Sequence, residues 1–536
     1  MRMTDGQGIE AEPAEQGGEG IEAEPTEQDG QARAPWKRSW RERKSVHALR
    51  REVSEDHAAW ADWDRRDNEA TRLPDGEEVH LGGLVLAEAF TPSTVSALHR
   101  ALEAFPASGD KKEEWIALVT RSRSAAGQSG WASLGVVRRS GEPFFGVQGD
   151  PALPEGIDAV WLYLFFPTPS LTMVVATFTL TDQAGDLSAL LRADYHTEAA
   201  DVRLRVPGRF GWARAQIPWA RPTQYSTTLS LRRAADQKRL ACESLITTRE
   251  AACWTWLADR FPGRFSAERL AARPTVRLLL TKDSVPFRDR TGWLTPADLS
   301  FRPDIWRSTD PLGWFLAFDD WHPDRRFTAT AAARKRDVAR SPGQGVSGDS
   351  TWHLTQKFAL AQSALVARWT MTRLLAVYAD LLAELRDRAG RRRRVSRTVR
   401  QGRDLDRYLI GDGLDASTVV SDLGDFTGDL TRFRWDVPEY TEYRDGYPEP
   451  VRSRRQPREL VPSLREGLRE QAERLGRDTA VTTGNIRASA ELRQAIANTT
   501  LQRVMVCVTI IAVVVAVIAV VVAVIGLVAA IHATRH

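Results

Sequence analysis

The stretch Val160-Trp-Leu-Tyr-Leu-Phe-Phe-Pro-Thr-Pro-Ser-Leu-Thr-Met-Val-Val-Ala-Thr-Phe-Thr-Leu180 holds two apolar runs, 160–166 and 171–180, parted by Pro167 to Ser170. Both runs are rich in β-branched and aromatic residues, which favour strands. Four residues with two prolines leave no room for a crossover helix, so the runs are expected to pair antiparallel. A sheet with at least one such hairpin is not the all-parallel sheet of a doubly wound fold.

Working outward, short apolar runs bounded by Gly and Pro predict further strands at 79–86, 115–120, 132–138, 276–280 and 314–318. Helical periodicity predicts helices near 93–104, 186–193 and 234–261, the last ending at Pro262-Gly263. Val46, Leu49, Val53, Trp60 and Trp63 recur at helical spacing and predict an amphipathic helix over 45–68. The expected class is α+β, a mixed, partly antiparallel sheet with helices, followed by a helical region and one C-terminal transmembrane helix.

Composition shifts mark the domain plan. Residues 1–44 hold a twelve-residue acidic repeat, Gly8 to Glu19 and Gly20 to Gln31, and then a basic segment with Trp36 and Trp40. Nine acids against Arg2 in the first 31 residues leave little to bury, so disorder is expected there. An α+β domain is expected over 45–340, and Ser341-Pro-Gly-Gln-Gly-Val-Ser-Gly-Asp-Ser350 reads as a linker, 341–351. Leu354, Phe358, Ala361, Leu365, Trp369, Leu374, Tyr378, Leu381 and Leu385 then predict a long helix that opens a membrane-proximal helical region, 352–503. Within that region a helix over 463–503 is expected to break at Gly484.

From Val504 to Ile531 there are 28 consecutive uncharged residues, nearly all Val, Ile, Ala or Leu. A bilayer crossing needs about 20, so 504–531 is read as a transmembrane helix with a short tail, 532–536. Arg474, Arg477, Arg487, Arg493 and Arg503 precede the span and only Arg535 follows it. The positive-inside rule therefore puts the N-terminal bulk in the cytoplasm, and no apolar signal sequence opens the chain. The expected location is the cell membrane, single-pass and tail-anchored.

Within the span, Thr509, Ala512, Ala516, Ala519, Ala523, Gly526 and Ala530 recur at alternating steps of three and four, forming one seam with a seven-residue period. Small side chains permit close helix approach in lipid. The seam is read as a homo-oligomer contact, with packing on a different membrane protein and a compositional accident as alternatives.

Chemistry is sparse. Cys242, Cys253 and Cys507 form no metal-ligand spacing, and a net charge of +4 spread over 144 charged residues gives no nucleic-acid footprint. Neither metal nor cofactor is expected. Gly343, Gly345 and Gly348 spell GxGxxG but follow a basic segment rather than a strand, so they read as linker. Asp319, Asp320, His322 and Asp324 form a polar cluster after a predicted strand, where carboxylates and an imidazole can hold a cation or move protons. A polar loop closed by Arg325 and Arg326 explains them without catalysis. Asp412, Asp415, Asp422, Asp425 and Asp429 match no calcium loop and read as capping and turn residues; Arg391 to Arg394 read as a solvated helix end. The plan of a cytoplasmic α/β domain, long helices and a C-terminal span resembles CorA-type magnesium channels. That family has two spans and a Gly-Met-Asn loop, whereas one span and no such tripeptide occur here, so no activity is carried over. The expected function is binding or scaffolding of an unidentified cytoplasmic protein. The alternatives are a membrane-tethered enzyme centred on Asp319, Asp320, His322 and Asp324, or an oligomeric pore.

Overall fold

The computed structural model describes residues 57–124, 129–139, 147–205, 225–268, 272–288, 292–302, 304–309, 313–318, 327–340, 348–390, 411–445 and 456–533. The acidic repeat, the basic Trp segment, the polar cluster 319–324 and the arginine run 391–394 lie outside these residues. In order, the elements are α1 (His57–Ala70), β1 (Val79–Phe90), α2 (Val95–Ala104), α3 (Gly109–Ser124), β2 (Gly130–Arg138), β3 (Ile157–Thr168), β4 (Leu171–Leu180), α4 (Asp182–Gly185) and α5 (Ser188–Arg192). There follow β5 (Glu198–Arg205), β6 (Tyr225–Arg232), α6 (Ala234–Arg260), β7 (Thr275–Thr281), β8 (Ile305–Ser308), β9 (Trp314–Phe318), β10 (Thr328–Arg334), α7 (Lys335–Arg340) and α8 (Thr351–Gly390). The chain ends with α9 (Asp412–Gly428), α10 (Leu430–Arg434), β11 (Tyr440–Glu442) and α11 (Leu460–Ala533). The described residues divide into two units, one holding 57–60, 199–205 and 225–230 and the other the described residues of 61–198 and 231–536. In the first, β5 and β6 form a two-stranded sheet.

The second unit is built on a nine-stranded sheet in the order β11-β8-β9-β10-β7-β1-β4-β3-β2. The β3–β4 hairpin is antiparallel, with Val160 opposite Phe178 and Phe165 opposite Met173, as the turn Pro167–Ser170 requires. The sheet is mixed because β10 and β7 run parallel, Thr328 opposite Thr275 and Arg334 opposite Thr281.

Each face of the sheet carries a long helix. On one, Arg277 of β7 donates through Nε to Glu250 at 2.6 Å and through both terminal nitrogens to Glu243 at 2.8 and 2.9 Å, which fixes α6. Burial alone would weaken the guanidinium's hold on its proton, but Glu250 and Glu243 reverse this and raise its pKa. On the other face lies α8, whose Leu354, Phe358, Leu365, Trp369, Leu374 and Tyr378 are buried in the same core as the strands. Residues 341–347 of the expected linker lie outside the described residues, and from Thr351 the chain is the helix that covers the sheet. Two glycines make the close approach possible: a Cβ at Gly83 would sit 2.7 Å from the Phe178 carbonyl oxygen and 3.0 Å from Thr355 Cγ2. At the adjacent bulge, Thr355 Oγ1 donates to the Gly82 carbonyl at 3.1 Å.

Two expectations are corrected. Residues 115–120 are not a strand but the middle of α3, where Trp115, Val119 and Ser122 are buried at spacings of four and three. The helical period emerges only when the charged flanks are counted with the short apolar run. No break occurs at Gly484: α11 is one helix of 74 residues, since an isolated glycine costs a helix only about 1 kcal/mol. Strand β10, Thr-Ala-Thr-Ala-Ala-Ala-Arg, carried no strand signal, because alanine has little β-propensity. It is held between β9 and β7 by its neighbours on both sides.

Candidate functional site

Four strand termini meet along one edge of the sheet. Val79, the start of β1, is opposite Thr281, the end of β7, and Thr281 is opposite Arg334, the end of β10; β4 ends nearby at Leu180. Parallel strands deliver their carboxyl ends to one side, and the segments that follow them border a crevice. Here the crevice is a cleft of about 490 Å³ lined by Glu78, Asp182, Lys282 and Asp283, by Lys335, Arg336, Ala339 and Arg340 of α7, and by Asp349 to Thr351 at the start of α8.

The cleft wall is held by its own hydrogen bonds. Glu77 is nearly buried and accepts from the N–H groups of Lys282, Asp283 and Ser284 at 2.7, 3.1 and 2.7 Å, and from the Ser284 hydroxyl at 2.6 Å. Burial pushes its carboxyl up, but these donors together outweigh burial and hold it below the ordinary range. Lys357 donates to the Val338 and Ala339 carbonyls at 3.0 and 3.1 Å and so caps the end of α7. Thr351 donates to Asp182 at 2.5 Å, which ties α8 to the end of β4.

Inside the cleft the ion pairs are long: Lys282 to Glu78 3.3 Å, Lys335 to Glu78 3.8 Å and Arg336 to Asp283 3.4 Å. Burial slightly opposes ionisation of Glu78, but the two lysines and His80 win and lower its pKa. Gly348 lies next to this wall, and α7 separates it from β10. Gly343 and Gly345 of the GxGxxG motif lie outside the described residues, and the described element that precedes Gly348 is a helix, not the strand of a dinucleotide fingerprint.

The aspartates of α9 have a use beyond capping. Asp415 accepts from Thr91 Oγ1 at 2.5 Å, from the Ser93 N–H at 3.1 Å and from the Ser93 hydroxyl; Asp422 accepts from the Ser170 N–H at 3.0 Å; Asp412 pairs with Arg264 at 2.7 Å. Only Asp429 caps a helix, accepting from the Arg432 N–H at 3.1 Å. Three of the five thus staple α9 to loops at the sheet's end, and nothing in their local sequence names those partners. Cys242 and Cys253 are buried in α6, and burial raises the first thiol to about 11 and the second further, so neither is poised as a nucleophile. Among the described residues no group of three His, Cys, Asp or Glu side chains could hold a metal ion.

The other candidate surface is the end of α11. Leu460, Val461, Leu468, Ala472 and Leu475 pack in the core, and the last buried side chain described is Thr482. The helix then continues into Leu501–Leu527, of mean hydropathy 3.5 and with nothing packed on it. At 1.5 Å per residue this segment is about 40 Å long, enough to cross a bilayer core of about 30 Å. Thr509, Ala512, Ala516, Ala519, Ala523, Gly526 and Ala530 all fall on this continuous helix.

Comparison with known proteins returned no matching family model, no matching curated protein and no matching solved structure.

Proposed function

We propose that the chain is a single-pass membrane protein whose α+β unit is held at the cytoplasmic face of the cell membrane as a binding or scaffolding module for a cytoplasmic protein. One observation carries this reading: the helix packed in the folded core is the same unbroken helix that presents Leu501–Leu527 bare. Eighteen Val, Ile and Leu residues lie between Val504 and Ile531. At roughly 0.3–0.6 kcal/mol each for insertion, they favour the bilayer by on the order of 5–11 kcal/mol. The arginines on the N-terminal side of the span support the orientation. A rigid helical connection, rather than a flexible tether, would fix the distance and facing of the domain above the lipid. Self-association belongs to the same proposal, through the seam from Thr509 to Ala530.

Ultracentrifugation of lysed cells is expected to recover the full-length chain in the membrane fraction. Protease added outside intact cells is expected to leave the domain uncut, and permeabilisation to expose it. Recovery of intact chain in the supernatant would remove the anchor. For the seam, the double substitution Ala516→Leu and Ala523→Leu is expected to weaken association in a membrane-based dimerisation assay.

A further inference from the structure

We propose that the cleft at the carboxyl ends of β7 and β10 binds a small ligand that carries a phosphate group. The inference is independent of the membrane reading. A volume of about 490 Å³ lies within the usual range of small-molecule sites. Ala339 is the one apolar residue in its wall, and the other side chains there bring charges and hydroxyls.

The lining carries four cations, Lys282, Lys335, Arg336 and Arg340, and four carboxylates, so its formal charge balances. Within that balance the pairing is loose. Pairs elsewhere include short ones, as in the buried Arg277 to Glu250 at 2.6 Å, and long ones, as in Arg373 to Asp380 at 3.9 Å. Those in the cleft span 3.3 to 3.8 Å, beyond the 2.7–2.9 Å of a committed charge-assisted hydrogen bond. Lys282 and Lys335 share the single carboxylate of Glu78. Arg340 has no carboxylate within 4.0 Å among the described residues, and Asp182 is turned to the Thr351 hydroxyl at 2.5 Å. The cations are thus gathered but loosely held, and Asp182 accepts from Thr351 within the same wall.

A second contribution comes from the backbone. The 40-residue α8 begins at Thr351 in the cleft wall, and the N–H groups of Thr351 and Trp352 meet no acceptor among the described residues. A phosphate oxygen placed there would accept from them, while Arg340 and Lys335 contact the remaining oxygens. Glu78 would keep Lys282 as its partner.

The test uses the full-length chain in detergent, titrated at fixed ionic strength with inorganic pyrophosphate in one arm and a water-soluble short-chain phosphatidic acid in the other. Saturable binding by calorimetry is expected in at least one arm, and the preferred arm identifies a free phosphate or a lipid headgroup as the source. Arg340→Ala is expected to weaken that binding at least tenfold with an unchanged melting temperature. Arg469→Ala, an exposed arginine paired with Glu473 on α11, is expected to leave it unchanged. Absence of saturable binding in both arms overturns the proposal. So does binding that survives both Arg340→Ala and Lys335→Ala unchanged, since the anion would then sit elsewhere.

Discussion

Glu88 lies on β1 with no exposed surface, yet it is a carboxyl group. It accepts from the N–H groups of Phe265 and Ala89 at 2.6 and 3.0 Å and from the Ser266 hydroxyl at 2.7 Å, which holds the turn after α6 against the sheet. Burial outweighs these three donors and pushes its pKa from 4.5 to about 7. The unfolded chain therefore releases this proton near pH 4.5 while the folded chain keeps it to about 7. Stability from this group is present at low pH and is lost as pH rises between those values. At roughly 1.4 kcal/mol per pH unit, the loss amounts to about 3 kcal/mol. The perturbation is Glu88→Gln, which keeps an oxygen for the two N–H donors, offers an amide to Ser266 and has no proton to release. Urea unfolding of the full-length protein in detergent, followed by tryptophan fluorescence at pH 5 and pH 8, gives the stability difference between variant and wild type at each pH. Groups common to both chains cancel. The difference is expected to move by about 2.5 kcal/mol in favour of the glutamine variant from pH 5 to pH 8, because a small part of the loss already lies below pH 5. A difference constant to within about 0.5 kcal/mol would refute the reasoning, because it would mean that the donors keep Glu88 ionised in the folded chain.

Introducing arginine at both Val514 and Ile518 costs about 5–7 kcal/mol at the centre of the span, so fractionation should find much of that variant off the membrane; full membrane retention would count against the anchor. Asp415→Ala leaves the Thr91 and Ser93 donors without their acceptor and is expected to destabilise the domain by about 2–4 kcal/mol in chemical denaturation. A loss below about 0.5 kcal/mol would show that α9 is not held there. Gly83→Val places a side chain against the Phe178 carbonyl and Thr355, and should lower the melting temperature by several degrees as α8 is forced from the sheet.

The apolar C-terminal helix was legible because its signal is summed hydropathy over consecutive residues, and the β3–β4 hairpin because its two prolines lie within a four-residue turn. Both are local properties. The same locality misled at 115–120, where six apolar-rich residues fit either period until their charged flanks were included. The seam from Thr509 to Ala530 and the GxGxxG glycines were equally plain as patterns, yet a pattern along one helix or loop does not name what faces it.

Sequence alone determined the α+β class, the hairpin and the apolar C-terminal helix. Tertiary structure alone decided that α8 covers the sheet, that Ala-rich β10 is a strand beside β7, and that Asp415 meets Ser93, 322 positions away in the chain. It also brought Glu78, Lys282, Arg340 and Thr351 to one cleft. Hydropathy and turn chemistry act between neighbours in the chain, whereas these contacts exist only once strand register has carried distant segments to the same edge.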